Sequence, residues 1–324
     1  MSTTPLVSVV APVFNEDRGV EEFYDRTTAA MEAIVPPVAH EIVFVNDGSV
    51  DDSLEILEKL ASADPRVRVV DLSRNFGHQI AITAGLDNAT GDAVVVIDSD
   101  LQDPPEVIAR MVERWREGFR VVYGIRTTRR GESRLKRWTA SVFYRVLKWL
   151  SDTPLPVDSG DFRLLDRKVV DVLGTVREEN RYIRGLVSWI GFRQVGVEYE
   201  RDPRHAGETA YTLGRMLRFA VDAITSFSER PLRLALQLGS LVTVMTAVGA
   251  LVIVVGKLLQ PERSIPGYAS LMVVVLFLGG VQLFSIGVLG EYIGRVYRES
   301  KDRPLYVVGD RIGFDDGQDR RHQI

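Results

Sequence analysis

Apolar runs without alternation recur along the N-terminal part of the chain, each followed by a stretch in which apolar residues return at helical spacing. The runs Val7–Val13, Glu41–Val45, Val67–Asp71 and Ala93–Asp98 read as strands covered on both faces: β-branched side chains suit a pleated surface, and no face is left polar. Asp17–Val35, Asp51–Ala63 and Gly77–Ala89 read as the helices between them. Strand and helix in alternation predict an α/β fold, a mostly parallel sheet wrapped by helices.

A different pattern governs the C-terminal part. Leu234–Gly256 and Tyr268–Gly290 are each 23 residues without a charge, longer than the roughly 20 residues that cross a bilayer core. A short loop with Pro261, Pro266 and Gly267 joins them, which predicts a transmembrane hairpin. Arg215, Arg218, Arg230 and Arg233 precede the first span and Arg295, Arg298, Lys301 and Arg303 follow the second, whereas the connecting loop holds only Lys257 and Arg263. By the positive-inside rule both termini, and the large N-terminal domain with them, face the cytoplasm at the inner membrane. Ser133–Leu150 and Leu213–Ser228 mix basic with apolar and aromatic residues and read as amphipathic helices lying on an anionic membrane surface. The predicted organisation is a cytosolic domain over 1–212, an interfacial helix over 213–230, the hairpin over 231–292 and a cytosolic segment over 293–324. In that last segment, "YRESKDRPLYVV" suggests a short returning element and "FDDGQDRRHQI" a mobile tail.

Composition narrows the chemistry. With 324 residues there is room for one large domain and a smaller part, and a net charge of −4 gives no sign of a nucleic-acid partner. The absence of cysteine excludes disulfides and thiolate metal sites, and four scattered histidines argue against a zinc centre. "MSTTPLVSVVAPVFNE" lacks a basic leader and is read as the start of the first strand rather than a signal peptide.

Polar groups collect where the predicted strands end: "PVFNE", "NDGS", "DLSRNFGHQ" and "DSDLQD". In a parallel sheet those ends share one edge, where open α/β sheets bind their ligands. Neither G-x-G-x-x-G nor G-x-x-x-x-G-K-[ST] occurs, so a nucleotide would be held by a metal bridge rather than a glycine cradle. Asp98 and Asp100, two apart on a continuing strand, would project to the same face, and a divalent cation such as Mg2+ or Mn2+ would remove their repulsion, with Gln102 adding a carbonyl oxygen. Asp103, just before Pro104–Pro105, reads as the N-cap of the following helix.

Taken together in this order and followed by two spans, "PVFNE", "VNDGS", "DSDLQDPPE" and "SGDFRLLDR" resemble the polyprenyl-phosphate glycosyltransferases of glycosyltransferase family 2, which include bactoprenol glucosyltransferases and, more distantly, dolichyl-phosphate mannose synthases. The resemblance runs from about Pro5 to Tyr306. It implies a GT-A-like, Rossmann-like catalytic domain and an inverting transfer of one sugar, glucose from UDP-glucose as first choice, to polyprenyl (undecaprenyl) phosphate. A processive polysaccharide synthase and a non-catalytic nucleotide-sugar-binding membrane scaffold are the alternatives. The first is disfavoured by the absence of a Q-x-x-R-W motif and of further spans, the second by the intact Asp98, Asp100 and Asp161.

Position by position, the resemblance implies that Pro12, Phe14 and Glu16 form the first donor-binding loop, that Asp47 contacts the base or ribose, and that Ser73, Arg74, Asn75 and Gly77 close around the nucleotide. Asp98 and Asp100 match the D-x-D pair that holds the metal against the diphosphate, with Gln102 beside it. Asp161 matches the catalytic acid near the donor sugar, where it could take a proton, orient a hydroxyl or pair with Arg163. Arg126 and Arg204 match basic positions near the acceptor phosphate, and Arg134 joins them on the approach. The chain departs from the family in "GETAY", with Ala210 where lysine is usual, and in "DSD" for "DAD", whose hydroxyl could touch the ribose or do nothing. Membrane lipids are the remaining expected partner, and a homo-oligomer is left open.

Overall fold

The computed structural model describes residues 4–127, 159–179, 181–200, 230–259 and 267–314. Arg134, Arg204, Ala210 and the two amphipathic stretches lie outside the described residues. Two compact units divide the chain: Met1–Tyr144 with Thr153–Thr212 and Pro304–Ile324, and Arg145–Asp152 with Leu213–Arg303.

In the first unit the predicted alternation is present. Strands β1 (Leu6–Val13), β2 (Ala39–Asn46), β3 (Val67–Leu72) and β4 (Ala93–Val96) enclose helices α1 (Val20–Glu32), α2 (Ser53–Ala63) and α3 (His78–Asn88). Helix α4 (Ile108–Arg116) leads to β5 (Val121–Arg126); β6 (Ser159–Asp166), α5 (Arg167–Thr175), α6 (Ile183–Ile190) and β7 (Gln194–Tyr199) follow. The last strand, β8 (Val308–Ile312), comes from beyond the second unit. The sheet order is β7-β5-β6-β4-β1-β2-β3-β8. Its central strands β4, β1, β2 and β3 are parallel, while β6 and β8 each pair antiparallel with their neighbours.

Side-chain size explains how closely the layers approach. One face buries Val7, Val9, Ile42, Phe44 and Val95 against Phe23 and Met31 of α1 and Met111 of α4, with the Phe23 and Phe44 rings edge to face at 6.0 Å. Such a pair adds about 0.5–1.5 kcal/mol beyond area burial. On the other face α3 lies so close to β1 that a Cβ at Gly85 would overlap Val10 Cγ1. Glycine there sets the helix depth and, with it, the position of His78 at the helix start.

In the second unit, helices α7 (Arg230–Leu259) and α8 (Tyr268–Glu299) contain the two predicted spans and contact one another. Among the described residues one stretch, Phe277–Glu299, is long and apolar enough to cross a membrane, and none of it is buried. Leu236, Leu241, Met245 and Leu251 on α7 and Leu271, Phe277, Leu283 and Ile293 on α8 are exposed. So large an apolar surface, outward-facing, marks a membrane or partner face rather than a soluble core.

Candidate active site

The central strands end at one edge, and the predicted donor-site residues that are described gather there. Val96 of β4 pairs with Arg163 of β6. That pairing ends at Val96, two residues before Asp98, while Asp161 lies two residues before Arg163 on β6. The two carboxylates are joined through His78: its Nε2 is 3.4 Å from Asp98 Oδ1 and 3.4 Å from Asp161 Oδ2.

Asp161, almost fully buried, is gripped by Arg184 of α6, whose Nε donates to Oδ1 at 2.7 Å and Nη2 to Oδ2 at 2.9 Å. Gln79 Nε2 donates to Oδ2 at 3.2 Å, and Gln79 Oε1 accepts from the Ile183 amide at 3.0 Å, tying α3 to the start of α6. Burial pushes the Asp161 carboxyl up, but the bonds from Arg184 and His78 and the nearby Arg163 charge overcome it and hold the group far below the usual carboxylate range. Asp161 is therefore an ionised, oriented carboxylate of low basicity. Arg163, pairing with which was one of the alternatives for Asp161, donates to backbone, from Nε to Asp161 O at 3.3 Å and from Nη2 to Gly160 O at 2.9 Å.

Two expectations for "DSDLQD" are corrected. Strand β4 stops at Val96, so Asp98 and Asp100 sit in a turn rather than on a continuing strand. The turn is shaped by Leu101 at φ 58 and by the Gln102 amide, which donates to Asp100 Oδ1 at 3.1 Å, while Ser99 Oγ donates to Pro12 O at 2.8 Å and locks it to the first loop. Asp103 is not a cap: Tyr199 Oη donates to its Oδ1 at 2.5 Å and Arg126 Nη2 to its Oδ2 at 3.1 Å. A fully buried carboxylate needs such donors, and β5 and β7 supply them. The Arg126 guanidinium thus already holds Asp103 and, through Nε at 3.1 Å, Tyr199 Oη.

The donor-loop residues are organised by Asp47. It is buried, and its carboxylate accepts the Phe76 amide at 2.7 Å and the Gly77 amide at 2.9 Å, while its carbonyl accepts Asn75 Nδ2 at 3.1 Å. Both carboxylate oxygens therefore serve the loop. Burial pushes the carboxyl up against the pull of those amides. The loop crosses directly over Gly48, at φ 67, where a Cβ would stand 2.5 Å from both Arg74 C and Asn75 N. Arg74 stacks over Phe76 at 3.9 Å, and Ser73, Arg74 and Asn75 are exposed, as is Phe14 beside β1. Pro12 is buried in β1, and Glu16 is half-buried, its amide donating to Ser53 Oγ at 2.9 Å.

The turn residues fit a divalent cation. Asp98 Oδ1 is buried, and apart from the His78 ring at 3.4 Å no hydrogen-bond partner reaches it. Burial, opposed by His78 and reinforced by Asp161, Asp103 and Asp100, pushes the Asp98 carboxyl up to about 6. A cation would relieve both conditions. Among the described residues no group of three or more His, Asp or Glu could hold an ion by itself, so the diphosphate would have to complete the shell.

His78, Gln79 and Arg184 were not among the predicted site residues. The run "FGHQ" after the third strand signalled the first two; Arg184, in "RYIRG", carries no local signal.

A GT-A-like sheet whose strand ends hold a D-x-D turn beside a buried carboxylate is the architecture of a glycosyltransferase. The chain belongs to glycosyl transferase family 2, which residues 8–174 match, and residues 230–296 match the GtrB C-terminal hairpin. It is 50% identical to the uncharacterized glycosyltransferase YkcC of Bacillus subtilis, over 98% of this chain and 97% of that one. It is also 42% identical to the bactoprenol glucosyl transferase of Shigella phage SfX, over 94% and 99%. A prophage bactoprenol glucosyl transferase homolog of Escherichia coli matches at 41%, over 93% and 98%.

Proposed function

We propose that this glycosyltransferase moves one glucosyl group from UDP-glucose to polyprenyl phosphate, undecaprenyl phosphate in a bacterial membrane, with inversion at the anomeric carbon. The observation that carries this reading is the juxtaposition, through His78, of the Asp98–Asp100 turn with the Arg184-held Asp161 at the carboxyl edge of the sheet. The near-full-length similarity to relatives named bactoprenol glucosyl transferase supports the acceptor and the sugar.

The residue roles are part of the same proposal. The loop anchored on Asp47, with Ser73, Arg74, Asn75 and Gly77, binds the nucleotide together with Pro12, Phe14 and Glu16. Asp98 and Asp100, with Gln102, would hold a Mg2+ or Mn2+ ion. When bound, that ion supplies charge neutralisation at the departing diphosphate. The nucleophile is the acceptor phosphate, whose second pKa near ~6 leaves it largely anionic at neutral pH. No strong base is needed, which suits a carboxylate as weakly basic as Asp161: it orients a sugar hydroxyl, fixed by Arg184 and Gln79. Arg134 and Arg204 serve as acceptor-phosphate cations, with Arg126 offering only what its bonds to Asp103 and Tyr199 leave free. The hairpin, as two spans with both termini and the catalytic domain on the cytoplasmic face, brings the reaction to the lipid headgroups.

The test is incubation of membranes containing the chain with polyprenyl phosphate and a panel of radiolabelled nucleotide sugars, followed by chromatography of the lipid extract. Label in the lipid from UDP-glucose is expected. Label from another donor alone would change the sugar, and no labelled lipid from any donor would overturn the reading.

A further inference from the structure

The last strand of the catalytic sheet is made by chain that has already left the hairpin. Helix α8 ends at Glu299, and residues 300–307 lead into β8, which pairs antiparallel with β3: Val69 with Ile312, Val70 with Arg311, Asp71 with Asp310, Leu72 with Val308. Covering the edge of β3 is reason enough for a strand to sit there. The contact just before β8 goes further. The Ser73 amide donates to Val307 O at 2.9 Å, and Ser73 is where β3 turns into the loop that Asp47 anchors at its other end, on Phe76 and Gly77.

The loop is therefore pinned at two points, one inside the sheet and one on the returning segment. That segment has its own fastenings. Tyr306 Oη donates to Asp87 Oδ2 of α3 at 2.9 Å, and Arg177 Nη1 holds the same oxygen at 2.7 Å. Past β8, Gly313 at φ 80 lets the backbone lie against Val67 O, where a Cβ would stand 2.5 Å away, and the Arg68 guanidinium lies over the Phe314 ring at 5.5 Å. Against these stands one opposing element: Asp71 and Asp310 are direct cross-strand partners, and like charges in that position destabilise pairing. Asn46 Nδ2 donates to Asp71 Oδ1 at 2.7 Å, which relieves only one of the two.

We infer that the segment Tyr306–Ile312 is a positioning element of the nucleotide-donor site: by holding Ser73 it presets the Ser73–Gly77 loop, so the chain emerging from the membrane hairpin sets affinity for the nucleoside diphosphate. The inference rests on the reading of that loop as the donor loop. Because coupling between two binding equilibria is reciprocal, a strand that strengthens donor binding must itself be tightened by the donor.

The test uses the full chain in detergent or nanodiscs, with UDP as the probe. In wild type, saturating UDP should slow hydrogen exchange at residues 306–312 as well as at 73–77; exchange at 306–312 indifferent to bound UDP overturns the inference. Tyr306→Phe combined with Gly313→Val should raise the UDP Kd and the donor KM about fivefold to tenfold while the acceptor KM stays within about twofold. Asp310→Asn, which removes the cross-strand repulsion, should shift the donor KM downward. If the double variant frees the strand, seen as faster exchange at 306–312, and UDP affinity is unchanged, β8 only covers an edge. A wild-type chain that binds no UDP at all removes the donor-site reading itself, whereas UDP binding without the coupling removes this inference alone.

Discussion

Arg184 meets Asp161 with two parallel bonds, Nε to Oδ1 at 2.7 Å and Nη2 to Oδ2 at 2.9 Å, in a pair whose carboxylate is almost wholly buried. Only a planar guanidinium can make this fork, so lysine is not a conservative replacement here. Arg184→Lys should lower kcat about 10- to 100-fold with little change in donor KM, because the carboxylate loses its fixed direction. The Asp161 carboxyl, held below its ordinary range in the wild type, should then rise toward it. The acid limb of the pH–rate profile should accordingly move to higher pH. A profile and rate unchanged in Arg184→Lys would show that Asp161 does not depend on the fork.

The metal reading is tested at Asp100. Asp100→Asn removes one charge from the turn while keeping an oxygen that can accept the Gln102 amide. Turnover should fall by at least about 100-fold with the thermal midpoint nearly unchanged, and wild-type turnover should vanish in chelator and return with added Mg2+ or Mn2+. Full activity of wild type in saturating chelator would exclude the cation.

Arg126 separates a structural from an acceptor role. Its partner Asp103 is fully buried, so Arg126→Ala would take the guanidinium from a buried carboxylate that Tyr199 Oη also serves. Breaking a buried pair in this way costs about 3–5 kcal/mol, and Tyr199→Phe, which leaves the ion pair, should cost about 1–3 kcal/mol. Denaturant unfolding of both variants checks the order. A stable Arg126→Ala with a raised acceptor KM would instead assign the arginine to the lipid phosphate.

Acid stability has a separate source, remote from the site. Hydrogen bonds from Arg66 hold the Asp64 carboxyl at about 2, against the opposing effect of burial, with Tyr24 Oη donating to it at 2.8 Å. Against an unfolded value of ~3.9, this depressed pKa contributes stability that is full above about pH 4 and is lost as pH falls toward 2. Arg66 is 39% exposed, so screening reduces the contribution to about 1–2 kcal/mol. Asp64→Asn should lose that amount at pH 7 and flatten the acid limb of a stability-against-pH curve. An unchanged curve would mean that Arg66 is equally well paired in the unfolded chain.

What could be read in advance follows from the range of the interactions. The first four strands are runs of Val and Ile whose character is local, and their ends mark the cleft, so Asp98, Asp100 and the Ser73–Gly77 loop were legible. Asp103 was misread because Asp before Pro-Pro is a sound local cap signal, and only Tyr199 and Arg126, both distant in sequence, redirect it. Arg184 escaped notice for the same reason: nothing in "RYIRG" marks a partner for Asp161. The short returning element expected at "YRESKDRPLYVV" is present as β8, but its pairing with an edge more than 200 residues upstream, as the register of Val69 with Ile312 records, has no local signal. Ile97 extended the apolar run beyond the true end of β4, which placed the D-x-D pair on a strand instead of in a turn.

Gly48 gives the sharpest test of the donor loop, because it touches the loop without reaching any ligand through a side chain of its own. Its φ of 67 disfavours any residue with a Cβ, and that Cβ would press on the backbone of Arg74 and Asn75 at 2.5 Å. Backbone cannot swing aside as a long side chain can, so the loop must move. The left-handed strain adds roughly 1–2 kcal/mol. Gly48→Ala should therefore raise the donor KM about tenfold, with the acceptor KM unchanged. Direct titration with UDP checks the first half and acceptor kinetics the second. If Gly48→Ala instead impairs acceptor dependence and leaves UDP affinity intact, the Ser73–Gly77 loop faces the lipid substrate and not the nucleotide.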